Sequence, residues 1–124
     1  MKALILSILA ILTLPASAER KHAERWYQER IAKIWGAKME VRVANGRVDI
    51  VGKEYATEVE FADKWKEAIG QALWYALQTN KKAGIVLICE DKSDYLHAIR
   101  LRSTIQYAKL DIKVWTHDEI IVEK

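Results

Sequence analysis

The residues best suited to chemistry crowd into the middle of the chain. In TEVEFADKWKEAIGQALWYALQ, Thr57 to Gln78, Glu58 and Glu60 alternate along a predicted strand and so share one face, with Val59 and Phe61 on the other. Asp49 is embedded in the preceding stretch RVDIV, where aspartate flanked by β-branched residues is out of place in an ordinary strand interior. A hairpin-like connection between the two strands sets Asp49 beside Glu58, so three carboxylates meet on one patch of sheet. Their repulsion raises each proton affinity unless a cation neutralises them. Hard oxygen donors carrying that much negative charge suit Mg²⁺ or Mn²⁺.

The helix that follows carries complementary groups. At about 100° per residue, Lys64, Gln71 and Tyr75 fall within a narrow arc, with Glu67 and Gln78 at its edge. Ala62, Trp65, Ile69, Ala72, Leu73 and Ala76 take the opposite side and are expected to face the core. Lys64, in the first turn, is placed to balance the carboxylates, polarise a phosphate or orient a water. Each group also has an ordinary explanation. A polar helix stripe is usually solvated, and paired glutamates can protect an edge strand. It is their conjunction with Asp49 in one order of elements that argues for a site.

The elements that must position these residues follow from periodicity and turn signals. Glu19–Trp35 has helical spacing and stops at Gly36. KMEVRVA alternates as a half-buried strand, Asn45-Gly46 marks a hairpin, and RVDIVG returns. EYATEVEF is a third strand, and a helix from Ala62 to about Thr79 follows it. The apolar run GIVLICE predicts a strand buried on both faces, central and parallel. Ser93 is the expected cap of a helix over Asp94–Ala108. DIKVWT is the last strand, and the tail HDEIIVEK reads as an edge strand or a loop. The order α-β-β-β-α-β-α-β predicts an α/β fold, a single domain with a mixed sheet flanked by helices.

In that order of elements the residues resemble the PD-(D/E)xK, or restriction-endonuclease-like, nucleases. Val48-Asp49, Glu58-Val59-Glu60 and Gln71–Tyr75 match that superfamily's strand aspartate, its (D/E)-x-K triplet and its helix signature in order and approximate spacing. The resemblance covers essentially the whole chain beyond residue 18, and it implies Mg²⁺-dependent hydrolysis of phosphodiesters, in DNA by expectation. On this reading Asp49 and Glu58 ligate the metal, joined by the Val59 carbonyl, and Glu60 is a further ligand or orients Lys64. Lys64 stabilises the attacking hydroxide, Gln71 holds the lysine or a water, and Tyr75 supports them. The triplet lysine is replaced by Glu60, so its role is expected to have moved to Lys64, with Lys66 as second choice. Glu24 and Glu29 are both candidates for the acidic residue that the superfamily often carries on its first helix. The alternative implied by the lost lysine is a catalytically degenerate module that binds nucleic acid or an envelope protein. Many proteins of this fold act as dimers, which makes a homodimer an open expectation.

Lys2, the apolar run Ala3–Leu14 and Pro15-Ala16-Ser17-Ala18 read as a signal peptide cleaved before Glu19. The expected product is a secreted or periplasmic protein, without stable membrane insertion, whose one domain covers 19–124. The whole chain has a net charge of +3, and loss of Lys2 leaves +2, too little for a histone-like binder. One cysteine, Cys89, excludes an internal disulfide and reads as a small core residue. The histidines, His22, His97 and His117, have no zinc-ligand spacing.

Overall fold

Each strand and crossover predicted from periodicity is present in the computed structural model, which describes residues 19–122. In chain order the elements are α1 (Glu24–Trp35), β1 (Lys38–Val43), β2 (Gly46–Val51), β3 (Tyr55–Phe61) and α2 (Trp65–Thr79). They continue with β4 (Lys82–Ile88), α3 (Tyr95–Ala108), β5 (Ile112–Thr116) and α4 (His117–Ile120). The five strands lie in sequence order, β1-β2-β3-β4-β5. β1, β2 and β3 form an antiparallel meander, and β4 is parallel to both β3 and β5. The expected leader lies outside the described residues. Among those described, no helix is long and apolar enough to cross a membrane.

The sheet separates two apolar layers. On one face Ala68 and Ala72 of α2 pack with Ala98, Leu101 and Ile105 of α3 over Ile85 and Leu87. The alanines let α2 lie close to the strands. On the other face Tyr27, Ile31 and Ala32 of α1 cover Ile50, Val59, Phe61, Val86 and Ile88. The domain is thus a mixed α+β sandwich with β4 at its apolar centre.

Several boundaries differ from expectation for local reasons. α1 starts at Glu24 rather than Glu19, because the backbone N–H groups of Lys21 and His22 donate to the Glu90 carboxylate instead of forming a helical turn. A 3-10 turn over Ala62–Lys64 precedes α2. Another, Lys92–Asp94, precedes α3, and it is capped by Asp91 and Asp94 in a reciprocal capping box; Ser93 has no such part. The hairpin loop is Ala44–Asn45, with Asn45 left-handed at φ 60°, and Gly46 already pairs with Val43. Gly46 serves packing, since a Cβ there would collide with the Tyr75 ring. The tail forms the single helical turn α4, fixed by His117, whose Nδ1 accepts from the Cys89 N–H at 3.0 Å. Leu73, expected in the core, is 38% exposed, because the helix turns its alanine edge to the sheet.

A candidate carboxylate site

The β2–β3 ladder pairs Ile50 with Thr57 and Val51 with Ala56, and it stops there. Beyond that point side chains take over the backbone groups. The Val59 N–H donates to Asp49 Oδ2 at 2.9 Å, and the Asp49 N–H donates to Glu58 Oε1 at 3.4 Å. Asp49 and Glu58 are thus cross-strand neighbours, the Asp49 carboxylate held by the Val59 main chain and the Glu58 carboxylate by that of Asp49. Glu58 is 4% exposed, although it is a carboxylate with no basic partner among the described residues.

Burial and crowding decide the charge states. Desolvation, and then the Asp49 charge, push the Glu58 carboxyl up to about 9. The Asp49 carboxyl is also raised, chiefly by burial, with the Val59 N–H opposing and the Glu40 charge assisting. Glu60 is pushed to about 7 by burial and by the charges of Glu24 and Asp49, while Lys64 draws it down. Glu24, at the start of α1, is raised by burial and by Asp49, against the pull of Lys64 and a 3.0 Å hydrogen bond from Gln28.

The arrangement places the paired candidates from the sequence differently. Glu24 joins the cluster, whereas Glu29 accepts from Arg25 at 3.0 Å on the outer side of α1. Lys64 acts on both Glu24 and Glu60, whereas the Lys66 ammonium lies 5.7 Å from the centre of the Trp65 ring. Tyr75 is committed to Gly46 on the β1–β2 hairpin. Gln71 is exposed and hydrogen-bonds to none of the other candidates, so the expected link from Gln71 to Lys64 is not made. Trp74 is 40% exposed on the outside of α2.

Two participants were missed by pattern alone. Glu40 stands at φ 49° inside β1, where its charge reaches Asp49 while its carboxylate binds Arg25 at 3.2 Å. A positive φ leaves no mark in the sequence. Gln28 does leave one, since it lies four residues after Glu24 on α1, the spacing at which side chains meet. Cys89 is buried in the α2–α3 layer and its thiol is pushed up to about 12, which makes it an inert core residue.

Among the described residues no three His, Cys, Asp or Glu side chains already converge as a metal cage. What the cluster does contain is carboxylate oxygens from α1, β2 and β3 whose proton affinity is raised, with Lys64 as the ammonium that acts on Glu24 and Glu60.

No protein-family model matches the chain, and no solved structure matches it significantly. A KilA-N domain-containing protein of Acanthamoeba polyphaga mimivirus is 40% identical over 65 residues, which are 52% of this chain and 18% of the viral protein. A second KilA-N domain-containing protein of the same virus is 26% identical over 95 residues, 77% of this chain and 37% of that protein. The chain therefore spans well under half the length of either relative.

Proposed function

We propose that the domain is a nucleic-acid-binding module, and that its carboxylate cluster engages the phosphodiester backbone with the help of a divalent cation. The observation that carries this reading is the gathering of Glu24, Asp49, Glu58 and Glu60 against too little positive charge. Buried carboxylates without counter-charge are costly, and a patch that served only the fold would gain by replacing them. Kinship with viral proteins named for a KilA-N domain favours nucleic-acid binding as the coarser function. Hydrolysis is the finer reading, and it draws on the PD-(D/E)xK-like order of elements and motifs.

The donor set fits Mg²⁺ or Mn²⁺, with Asp49 and Glu58 as holders and the Val59 carbonyl beside them. When bound, such an ion supplies a Lewis acid and lowers the pKa of a coordinated water. The chain's own groups do the rest. Lys64 faces the developing charge on phosphate. Glu60, with its carboxyl near neutrality, takes up or releases a proton. Glu24 restrains Lys64, and Tyr75 fixes α2 on the hairpin. Export, with cleavage before Glu19, belongs to the same proposal and is checked by the mass of the chain recovered from a periplasmic fraction.

The test combines binding, cutting and melting on wild type, Glu58→Gln and Lys64→Ala. Labelled DNA should bind more tightly in Mg²⁺ than in EDTA and be cut only with the metal, and both variants should lose cutting. A metal that binds only the folded chain should add about 2.7 kcal/mol of stability at a hundredfold excess over its dissociation constant, a gain that Glu58→Gln should lack. Binding that is indifferent to EDTA, without cutting, would reduce the function to the binding module. Absence of binding to any nucleic acid would overturn both readings.

A further inference from the structure

At the other end of β3 from Glu60, on the face covered by α1, three aromatic rings border an open cavity of about 430 Å³. Trp35 is the last residue of α1, Tyr55 the first of β3, and Trp115 lies in β5. The rings of Trp35 and Trp115 are 4.9 Å apart at 57°, and those of Tyr55 and Trp115 are 5.2 Å apart at 85°. Rings that packed only for burial would close on one another. These stay half-buried around a space within the size range of small-molecule sites.

The space depends on a glycine in the middle of the sheet. Gly84 lies in β4, between the strands that carry Tyr55 and Trp115, where glycine is unfavourable because it loses more freedom on folding and packs nothing. A Cβ at Gly84 would sit 2.9 Å from the Trp115 ring and 2.6 Å from the Thr57 hydroxyl. Its absence lets the indole lie across β4 and reach Tyr55. The Thr57 hydroxyl beneath is buried without a hydrogen-bond partner among the described residues. Sheet stability is thus given up to keep the ring in this position.

The rim is basic. Lys53, in the turn before Tyr55, lines both the aromatic cavity and an adjoining groove with Lys81 and Lys82. Lys81 Nζ donates to the Lys53 carbonyl at 2.9 Å, which draws the two lysines together. Glu54, the acidic residue at the cavity, is neutralised by Lys82 at 3.1 Å. The Lys113 ammonium lies 5.5 Å from the centre of the Trp115 ring. An ammonium ligand would meet this positive charge unfavourably. A planar aromatic group joined to phosphates would meet rings and lysines in the right order.

We propose that Trp35, Tyr55 and Trp115 form a pocket for one unpaired nucleobase, with Lys53 and its neighbouring lysines on the flanking phosphates, so that the domain prefers single-stranded nucleic acid. The inference rests on the nucleic-acid reading above and adds the strand state that the domain selects. A base within a duplex has its faces stacked and cannot enter such a cavity, whereas an unpaired base offers a face to any aromatic platform.

The experiment measures fluorescence anisotropy of labelled oligothymidylate, and of a duplex of equal length, in EDTA, so that the carboxylate site contributes no metal contact. Wild type should bind the single strand more tightly than the duplex. Trp35→Ala should weaken single-strand binding roughly tenfold or more, the range for loss of one stacked base, and Trp35→Phe should retain most of it. Lys53→Ala, on an exposed turn where folding is not at risk, should weaken binding and lower the salt slope by about one counterion. Wild-type binding that neither Trp35→Ala nor Lys53→Ala alters, or a preference for duplex, would overturn the pocket and leave the nucleic-acid reading standing. Failure of wild type to bind either probe in EDTA would overturn the pocket, and failure that persists in Mg²⁺ would overturn the nucleic-acid reading with it.

Discussion

Replacing Glu58 by glutamine should make the protein more stable, by an amount that grows with pH. Glutamine keeps the shape of the side chain and a carbonyl that accepts the Asp49 N–H, but it cannot ionise. In the wild type the Glu58 carboxyl is lifted from its ordinary 4.5 to about 9 by burial and by Asp49. A carboxyl raised in this way contributes stability that is fully present below pH 4.5 and is lost as pH rises toward 9. At about 1.4 kcal/mol per pH unit, the wild-type fold loses on the order of 3 kcal/mol between pH 4.5 and 7, and more above. For a domain of this size each kcal/mol moves the melting temperature by about 4–8 °C, so the gap at pH 7 should reach roughly 12–24 °C. Thermal and urea unfolding of both proteins from pH 5 to 8.5, without divalent metal, measure it. The two curves should lie close together at pH 5 and diverge steadily above. Parallel curves, or a variant less stable throughout, would refute the claim that this carboxyl is buried without counter-charge.

Other consequences concern the scaffold. Gly46→Ala should cost about 1–3 kcal/mol, as overpacking does, because the new methyl meets the Tyr75 ring; a chemical denaturation midpoint equal to wild type would disprove that contact. Asp91→Ala should destabilise by about 1 kcal/mol, the usual value of a helix cap, while Ser93→Ala leaves the midpoint in place. The opposite ranking would restore Ser93 as the cap. Thr57→Val keeps the β-branched shape while removing an unpaired buried hydroxyl, and should leave stability equal or raise it by about 1 kcal/mol; a loss would mean that the hydroxyl has a partner.

Much of the fold was readable because its strongest signals are local. Alternation in KMEVRV, the apolar run ending at Cys89 and the helical spacing after Phe61 each point to one element type, and the order of those elements restricts the topology. Asp49 and Glu58 were readable as neighbours because strand alternation and a short connection leave few ways to pair β2 with β3. What escaped depends on contacts distant in sequence. Nothing near Leu73 reveals that the sheet receives the alanine edge of α2. Glu24 and Glu29 are equally acidic on paper, and only the placement of α1 brings one of them to Asp49 and Lys64. Gly46 reads as a turn residue until Tyr75, far along the chain, is seen to need the space. The aromatic trio is scattered across α1, β3 and β5, and it joins only through the missing side chain of Gly84.

The left-handed residue inside β1 bears on how copies of this chain can meet. β1 is one outer strand of the sheet, and its unpaired amides would ordinarily invite another strand to dock alongside. Glu40, at φ 49°, breaks the straight run of those amides, and exposed Lys38 and Arg42 flank it with like charge. The other outer strand, β5, is only five residues long. Sheet-to-sheet fusion is therefore blunted at both margins. Leu77, Leu96 and Ile99, apolar residues that are more than half exposed, lie on the helices α2 and α3 and so add nothing to either margin of the sheet.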